Sequence, residues 1–457
     1  MERGYFLTLL LCFALGVQGQ SNDSRLTLHH ADAMTVIQVN GQSTTLLSGH
    51  VAMSNANGEF QCDSAMWNRQ SNDFQAFGQV SYQGNNGLIL HADMMHHQNG
   101  WTNLHQNIEL KHGNQTLATD NLRYHDQREI GRFTQGGTVT TTDAKLTARE
   151  GTYHASREVF TYHGDVKAKT KQYTLDTDSL IHDLPMHQYI MPVAGYAVSD
   201  SGWVRFGQGI ISDSNELSIF HHGVTGQDGR DYFIADSLHR QASIATTGLH
   251  GHAQWATQGE DSMELAADHL VIHGDSAKGQ GHVVSHSKGL ASLSESLHWN
   301  KSTHSLHLEG DPIVWSTDYQ VQGRDIYWYQ DVSYDMDSLW IEGQVVLSEP
   351  TDSGDFQQMG GNTLSGHLNH EGIHDMHLSG NAKAIYHPEP MQVNVTECSS
   401  ITLAFKANEE GNQTIHSVTF NQSPQGTLSE DQADDLPGFS DRQSERPERM
   451  DWMSGLK

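Results

Sequence analysis

The chain has 457 residues, a formal net charge of −29, 36% hydrophobic residues, and 43 glycines against 9 prolines. The charge excludes nucleic acid and an anionic membrane surface as partners, because both need clustered lysine and arginine. Cations, neutral sugars, other proteins and apolar ligands stay open, and the composition favours many short strands joined by turns over a large helical core.

The chain opens MERGYFLTLLLCFALGVQGQ, in which Arg3 precedes an apolar run from Tyr5 to Leu15 and the small pair Val17 and Gly19. This pattern predicts a signal peptide over residues 1–19, cleaved on export. Cys12 lies inside the apolar run without small residues before it, which argues against a lipoprotein anchor. No later stretch approaches about 18 continuous apolar residues, so the mature chain is expected to be soluble. It keeps Cys62 and Cys398, too few for a disulfide scaffold. Cys62 shares a strand face with Phe60 and reads as a buried free thiol.

Beyond the leader the chain repeats. GHVAMSNANGEFQCDSAMWN from Gly49, GQVSYQGNNGLILHADMMHH from Gly78, QNIELKHGNQTLATDNLRYH from Gln106, GTVTTTDAKLTAREGTYHAS from Gly137 and GDVKAKTKQYTLDTDSLIHD from Gly164 align. Each alternates, turns, and alternates again into an acidic residue. These acids fall at Asp63, Asp93, Asp120, Glu150, Asp178, Asp236, Asp268 and Glu295. Their spacing gives a period of about 29 residues, with one member missing near Gly207. Apolar residues recur every second position, as at Val80 and Tyr82, Leu88 and Leu90, Val166 and Ala168, Tyr173 and Leu175, and Met263 and Leu265. Period two means strands with one buried face and one wet face. Each unit supplies two to four short strands, so the prediction is an all-β stack with a continuous apolar interior. The acidic ladder reads as turn residues capping backbone N–H groups, since evenly spread acids do not form a catalytic pair.

The pattern Gly-x-Val, polar turn, apolar-x-apolar-x-Ala-Asp, fullest in GQVSYQGNNGLILHADMM, resembles the OstA-like (LptA-like) family, which includes periplasmic bridge proteins of lipopolysaccharide transport. EGDPIVWSTDYQVQGRDIYWY (309 to 329), LSGNAKAIYH (378 to 387) and LPGFSDRQSERP (436 to 447) are similar to its longer members. The resemblance implies a folded-over β-jellyroll, or β-taco, whose two sheets enclose an apolar trough that carries acyl chains. It places Phe60, Cys62, Val80, Tyr82, Leu88, Leu90, Gln115, Leu117, Val166, Tyr173, Leu175, Met263 and Leu265 on the inward strand faces; all but Cys62 and the polar Gln115 are the expected lipid-binding lining. It further implies a non-enzymatic, periplasmic lipopolysaccharide carrier. Such a carrier would bridge toward the outer membrane, pairing end to end with other β-jellyroll components, with an outer-membrane assembly protein, or with itself. No cofactor and no metal site is expected.

Residues 184–230 fit the repeat poorly and carry Pro185 and Pro192. They suggest tandem β-jellyrolls over 20–190 and 191–426. From 427 to 457 the chain turns polar and acidic without alternation and reads as a flexible tail. The sequons at Asn22, Asn114, Asn300, Asn394 and Asn412 would matter only in a eukaryotic secretory pathway.

Two other classes compete: a secreted structural or adhesive β-solenoid without lipid, and a carbohydrate-active β-helix, which needs two converging carboxylates. The 31 histidines suit a wet sheet face, and a metal site would need converging ligands with supporting partners behind them. His370-Glu371-Gly372-Ile373-His374 spells HExxH, but a zinc hydrolase needs it on a helix. The glycines at 366, 372 and 380 and the flanking alternation predict a hairpin instead.

Overall fold

The computed structural model describes residues 26–449 except 40, 41, 56, 57, 69, 72, 86, 126, 127, 260, 261, 288, 317, 318, 331–335, 352, 353, 370, 371, 389–391, 408–412, 431 and 432. The expected signal peptide and the first two residues of the HExxH string, His370 and Glu371, lie outside the described residues. The chain divides into two compact units, residues 1–222 and 223–457. This division comes later than the 190/191 boundary that the sequence suggests. Strands continue through the weakly repetitive stretch, at Gln188–Met191, Gly195–Ser199, Gly202–Phe206 and Gln208–Ser212.

In the first unit, successive strands pair antiparallel with their neighbours: Gln42–Asn55, Gly58–Asn68, Asp73–Gly84, Leu88–Gln98, Trp101–His112 and Gln115–His125. Each strand buries alternate residues, as the period-two pattern requires. Each pairing also slips register partway along, at a corner where the chain turns left-handed for two residues. Gly49 and His50 have φ of 77° and 46°, Gly78 and Gln79 70° and 45°, and Gln106 and Asn107 64° and 50°. An extra residue at the same place in layer after layer bends every strand, and the sheet folds over on itself. The second unit does the same at Gly251 and His252, Gly281 and His282, Gly343 and Gln344, and Gly380 and Asn381.

The acidic ladder belongs to these corners. A Cβ placed on Gly78 would lie 2.1 Å from Asp63 Oδ2, and one on Gly251 would lie 2.3 Å from Asp236 Oδ2. Asp120 and Asp178 accept the backbone N–H of the corner residues Asn107 and Asp165. The acids therefore cap corners, while the hairpin turns lie at the strand ends. In the fourth layer the residue facing corner Gly164 is Arg149, one place before the expected Glu150. Arg149 pairs with Asp165, and Glu150 is held by Arg132 at 2.5 Å. Where the corner opens into a loop, one bent strand becomes two short ones. At the missing repeat Gly207 itself takes the acid's place: it alone separates Gly202–Phe206 from Gln208–Ser212, and it faces the corner residue His222.

The second unit contradicts one expectation. Residues 433–449 are not a free tail but a strap laid across the outer sheet face. Leu436 is 4% exposed among Val346, Ile385 and Val393, with Phe439 packed alongside. Gln320 and Gln322 donate to the Ser440 carbonyl at 2.8 and 2.6 Å, Gln358 Oε1 accepts the Leu436 N–H at 2.9 Å, and Arg449 meets buried Glu264 at 2.9 Å. Buried polar side chains need such partners. The wall beneath is consequently buried on both faces, as in Ile313–Trp315, where three successive residues are buried.

HExxH fails as predicted. Its last three residues open the strand Gly372–Tyr386, antiparallel to Phe356–Asn369. His374 and His367 both meet Asp375, at 2.8 and 3.0 Å. Cys62 is a free, buried thiol, pushed up to about 12 by burial.

Candidate functional site: an apolar row with an aromatic mouth

Cross-strand neighbours point to the same side of a sheet, so register alone shows which side chains line the trough. In the first unit one row runs Met53, Phe60, Tyr82, Leu90, Leu110, Leu117, Val139, Leu146, Ala168, Leu175, Ala197 and Val204, each paired with the next. Five expected lining residues, Phe60, Tyr82, Leu90, Leu117 and Leu175, fall in this row and are buried. Val80, Leu88 and Val166 are buried beside it. In the second unit Leu265 belongs to the corresponding row, joining Trp255 to Ser285, Ser292, Val314, Val321, Leu347, Met359 and Ala384. Met263 is buried two places away. That row is interrupted by polar Ser285 and Ser292, whose hydroxyls bond to each other at 2.5 Å.

For most of its length the row is close-packed. Beside this row in the first unit, space opens where small residues meet large ones. A narrow slot lies among Val139, Leu146, Ala168, Leu175 and Tyr162, and Ala144 and Ala168 supply no bulk to fill it. It adjoins a wider mouth of about 960 Å³ bordered by Tyr173, His182, Tyr189, Leu184 and Asp213. Tyr173, the one expected lining residue that is only part-buried, stands between slot and mouth. Burial raises its phenol to about 12, and raises those of Tyr162 and Tyr189 as well. The hydroxyls at the mouth therefore stay neutral at physiological pH.

Aromatic stacking sets the mouth's walls. Tyr189 stacks on His182 at 4.2 Å, and Phe160 lies between His182 and Tyr162 at 6.4 and 5.8 Å. Asp213 faces His182 and His187 at 3.4 and 3.6 Å. The arrangement presents aliphatic side chains inside, neutral aromatic rims at the opening, and a carboxylate with two imidazoles outside. It offers room for an apolar chain. Sequence reasoning did not place Val139, Leu146, Tyr162 or Tyr189 here. The alternation in GTVT and AKLTA carries the first two. Tyr189 sits on a split strand whose corner has become a loop, which hides its repeat position.

A sheet folded over at successive left-handed corners, with an apolar row along its inside, defines the class: an all-β, folded-over β-jellyroll. Residues 23–178, about a third of the chain, match the family described as OstA-like protein. No curated protein matches the chain. Among solved structures it is similar to LptH of Pseudomonas aeruginosa, described as the LptA homologous periplasmic component of the lipopolysaccharide transport device. The identity is 14% and the TM-score 0.24, over 30% of this chain and 92% of that one.

Proposed function

We propose that this chain is a periplasmic lipopolysaccharide-binding transport protein. It shields acyl chains in the first unit's trough and bridges toward the outer membrane, without enzymatic activity. The observation that carries this reading is the apolar row from Met53 to Val204, which opens beside Tyr173 and Tyr189. Each methylene moved from water into such a slot gains about 0.8 kcal/mol, so a few acyl chains suffice without recognition of the head group. The net charge of −29 fits that division, because the phosphates of a lipid A head are repelled and stay in water.

Bridging requires an edge. The strand Ala33–Val39 pairs with Gln42–Asn55, and Met34 and Val36 on it are more than half exposed. An apolar strand at the margin of a sheet is a template for a partner's strand. In this reading it accepts a second β-jellyroll of the transport bridge, of another type or the same one. Residues 1–19 act in export.

The test is photo-crosslinking in a Gram-negative host with benzoylphenylalanine at Tyr173 or Tyr189, and at the outward-facing Lys145 as control. Lipopolysaccharide adducts at the two tyrosines and not at Lys145 are expected. Equal labelling at all three, or none, would remove the cargo and leave a structural β-solenoid.

A further inference from the structure

Outside the trough, on the wet face of the second unit, two strands bring a histidine and two carboxylates to one point. Ser305–Glu309 pairs antiparallel with Asp325–Gln330, with Glu309 opposite Asp325 and His307 opposite Tyr327. Leu308 and Ile326 are fully buried on the other face, which fixes the outward direction of their neighbours. His307 Nε2 lies 3.8 Å from Glu309 Oε1 and 3.9 Å from Asp325 Oδ1. The three ligand atoms all lie within 4.8 Å of one another. Nε2 is buried and has no hydrogen-bond partner, although it faces two acceptors.

We propose that His307, Glu309 and Asp325 form a binding site for a divalent transition-metal ion, zinc above all. Zinc bonds of about 2.0–2.2 Å put tetrahedral ligand atoms about 3.4 Å apart. The two nitrogen–oxygen separations, 3.8 and 3.9 Å, close to that with about half an ångström of side-chain movement, and the two carboxylate oxygens, within 4.8 Å of each other, approach by at most about 1.4 Å. An imidazole nitrogen with two carboxylate oxygens suits zinc better than calcium or magnesium, which take oxygen ligands. A water completes the fourth position.

The partners behind the ligands distinguish this site from an accidental cluster. Tyr327 stacks on the His307 ring at 4.0 Å and 11°, setting its plane. Ser296 Oγ donates to Glu309 Oε2 at 3.0 Å, and Arg324 Nε donates to Asp325 Oδ2 at 2.8 Å. Each carboxylate thus has one oxygen held from outside and the other turned toward Nε2. Such support orients ligands, and its loss typically weakens metal binding 10- to 100-fold. A bound ion would clamp two adjacent strands beside the corner at Gly310.

The test uses the full chain stripped with EDTA and titrated calorimetrically with zinc chloride. His250, whose Nδ1 lies 3.1 Å from that of His269, serves as the control for the exposed histidines. One zinc equivalent tighter than the background is expected. It should weaken at least about 100-fold in His307→Gln and Asp325→Asn, weaken about tenfold in Ser296→Ala, and persist in His250→Gln. Circular dichroism checks that each variant is folded, and Ser296→Ala, which keeps all three ligands, decides the matter if the ligand variants are not. No tight equivalent in the wild type, or one unchanged in Ser296→Ala and the ligand variants, overturns the site. His307 would then be an imidazole between two acids and nothing more.

Discussion

The strap over residues 433–449 has one apolar anchor deep enough to be tested by truncation. In Leu436→Ala the side chain lost is 96% buried, among Val346, Ile385 and Val393. Large-to-small changes at packed sites cost about 2–5 kcal/mol. The low end applies, because a strap on a surface relaxes more easily than a core and its polar anchors at Gln320, Gln322 and Gln358 remain. A loss of about 2 kcal/mol raises the detached population about 30-fold at 1.4 kcal/mol per decade. The strand pairings do not depend on the strap, so detachment is local and global melting should shift little. Limited trypsin digestion reads this directly, since Arg442 lies within the strap and cleavage tracks the open population when reattachment is fast. Cleavage after Arg442 should accelerate about 30-fold. An unchanged rate would mean that the strap is already detached in solution, or that Leu436 does not hold it.

Other expectations concern corners, charge and edge. Gly251→Ala must hold a side chain at φ of 72° against Asp236, so it should destabilise by more than the 1–2 kcal/mol of left-handed strain alone, measured by urea unfolding. His282 faces Asp268 at 2.9 Å, and the hydrogen bond to that carboxylate raises its pKa, as Asp32 does for His50. Both are fully exposed. Their raised folded pKa means that any stabilisation is fully present below about pH 6.5. It is lost as pH rises through the folded value. Proton NMR should place both midpoints above 6.5, and Asp268→Asn should return only His282 to that value. Burial lowers the pKa of His97 instead, so its contribution has the opposite sign: full above about 6.5, lost as pH falls. In sedimentation runs, Val36→Lys on the margin strand should reduce end-to-end association and leave melting nearly unchanged, whereas unchanged association would place the contact elsewhere.

What the sequence made legible is what repeats. Alternation at Leu88 and Leu90 or at Tyr173 and Leu175 fixes which face turns inward, and a 29-residue period fixes that the layers stack. The corners were half visible. Aspartate before glycine in the next layer marks them, but Arg149, Arg324 and Asn362 occupy the same place against Gly164, Gly343 and Gly380. Position rather than charge defines the ladder: the corner needs a side chain that reaches along it, and a carboxylate is one solution among several. The strap was invisible for a different reason. It binds through its backbone and through isolated anchors, so its own sequence has no period to read. Its footprint does carry a signal. DPIVWS and QVVLS are continuous apolar runs in a chain that otherwise alternates, and such runs mean a strand covered on both faces. Nothing else in a folded-over sheet covers the outer face, so an element from elsewhere in the chain had to. The acidic C-terminal stretch, which reads as a tail for want of alternation, holds the two apolar anchors Leu436 and Phe439 three residues apart.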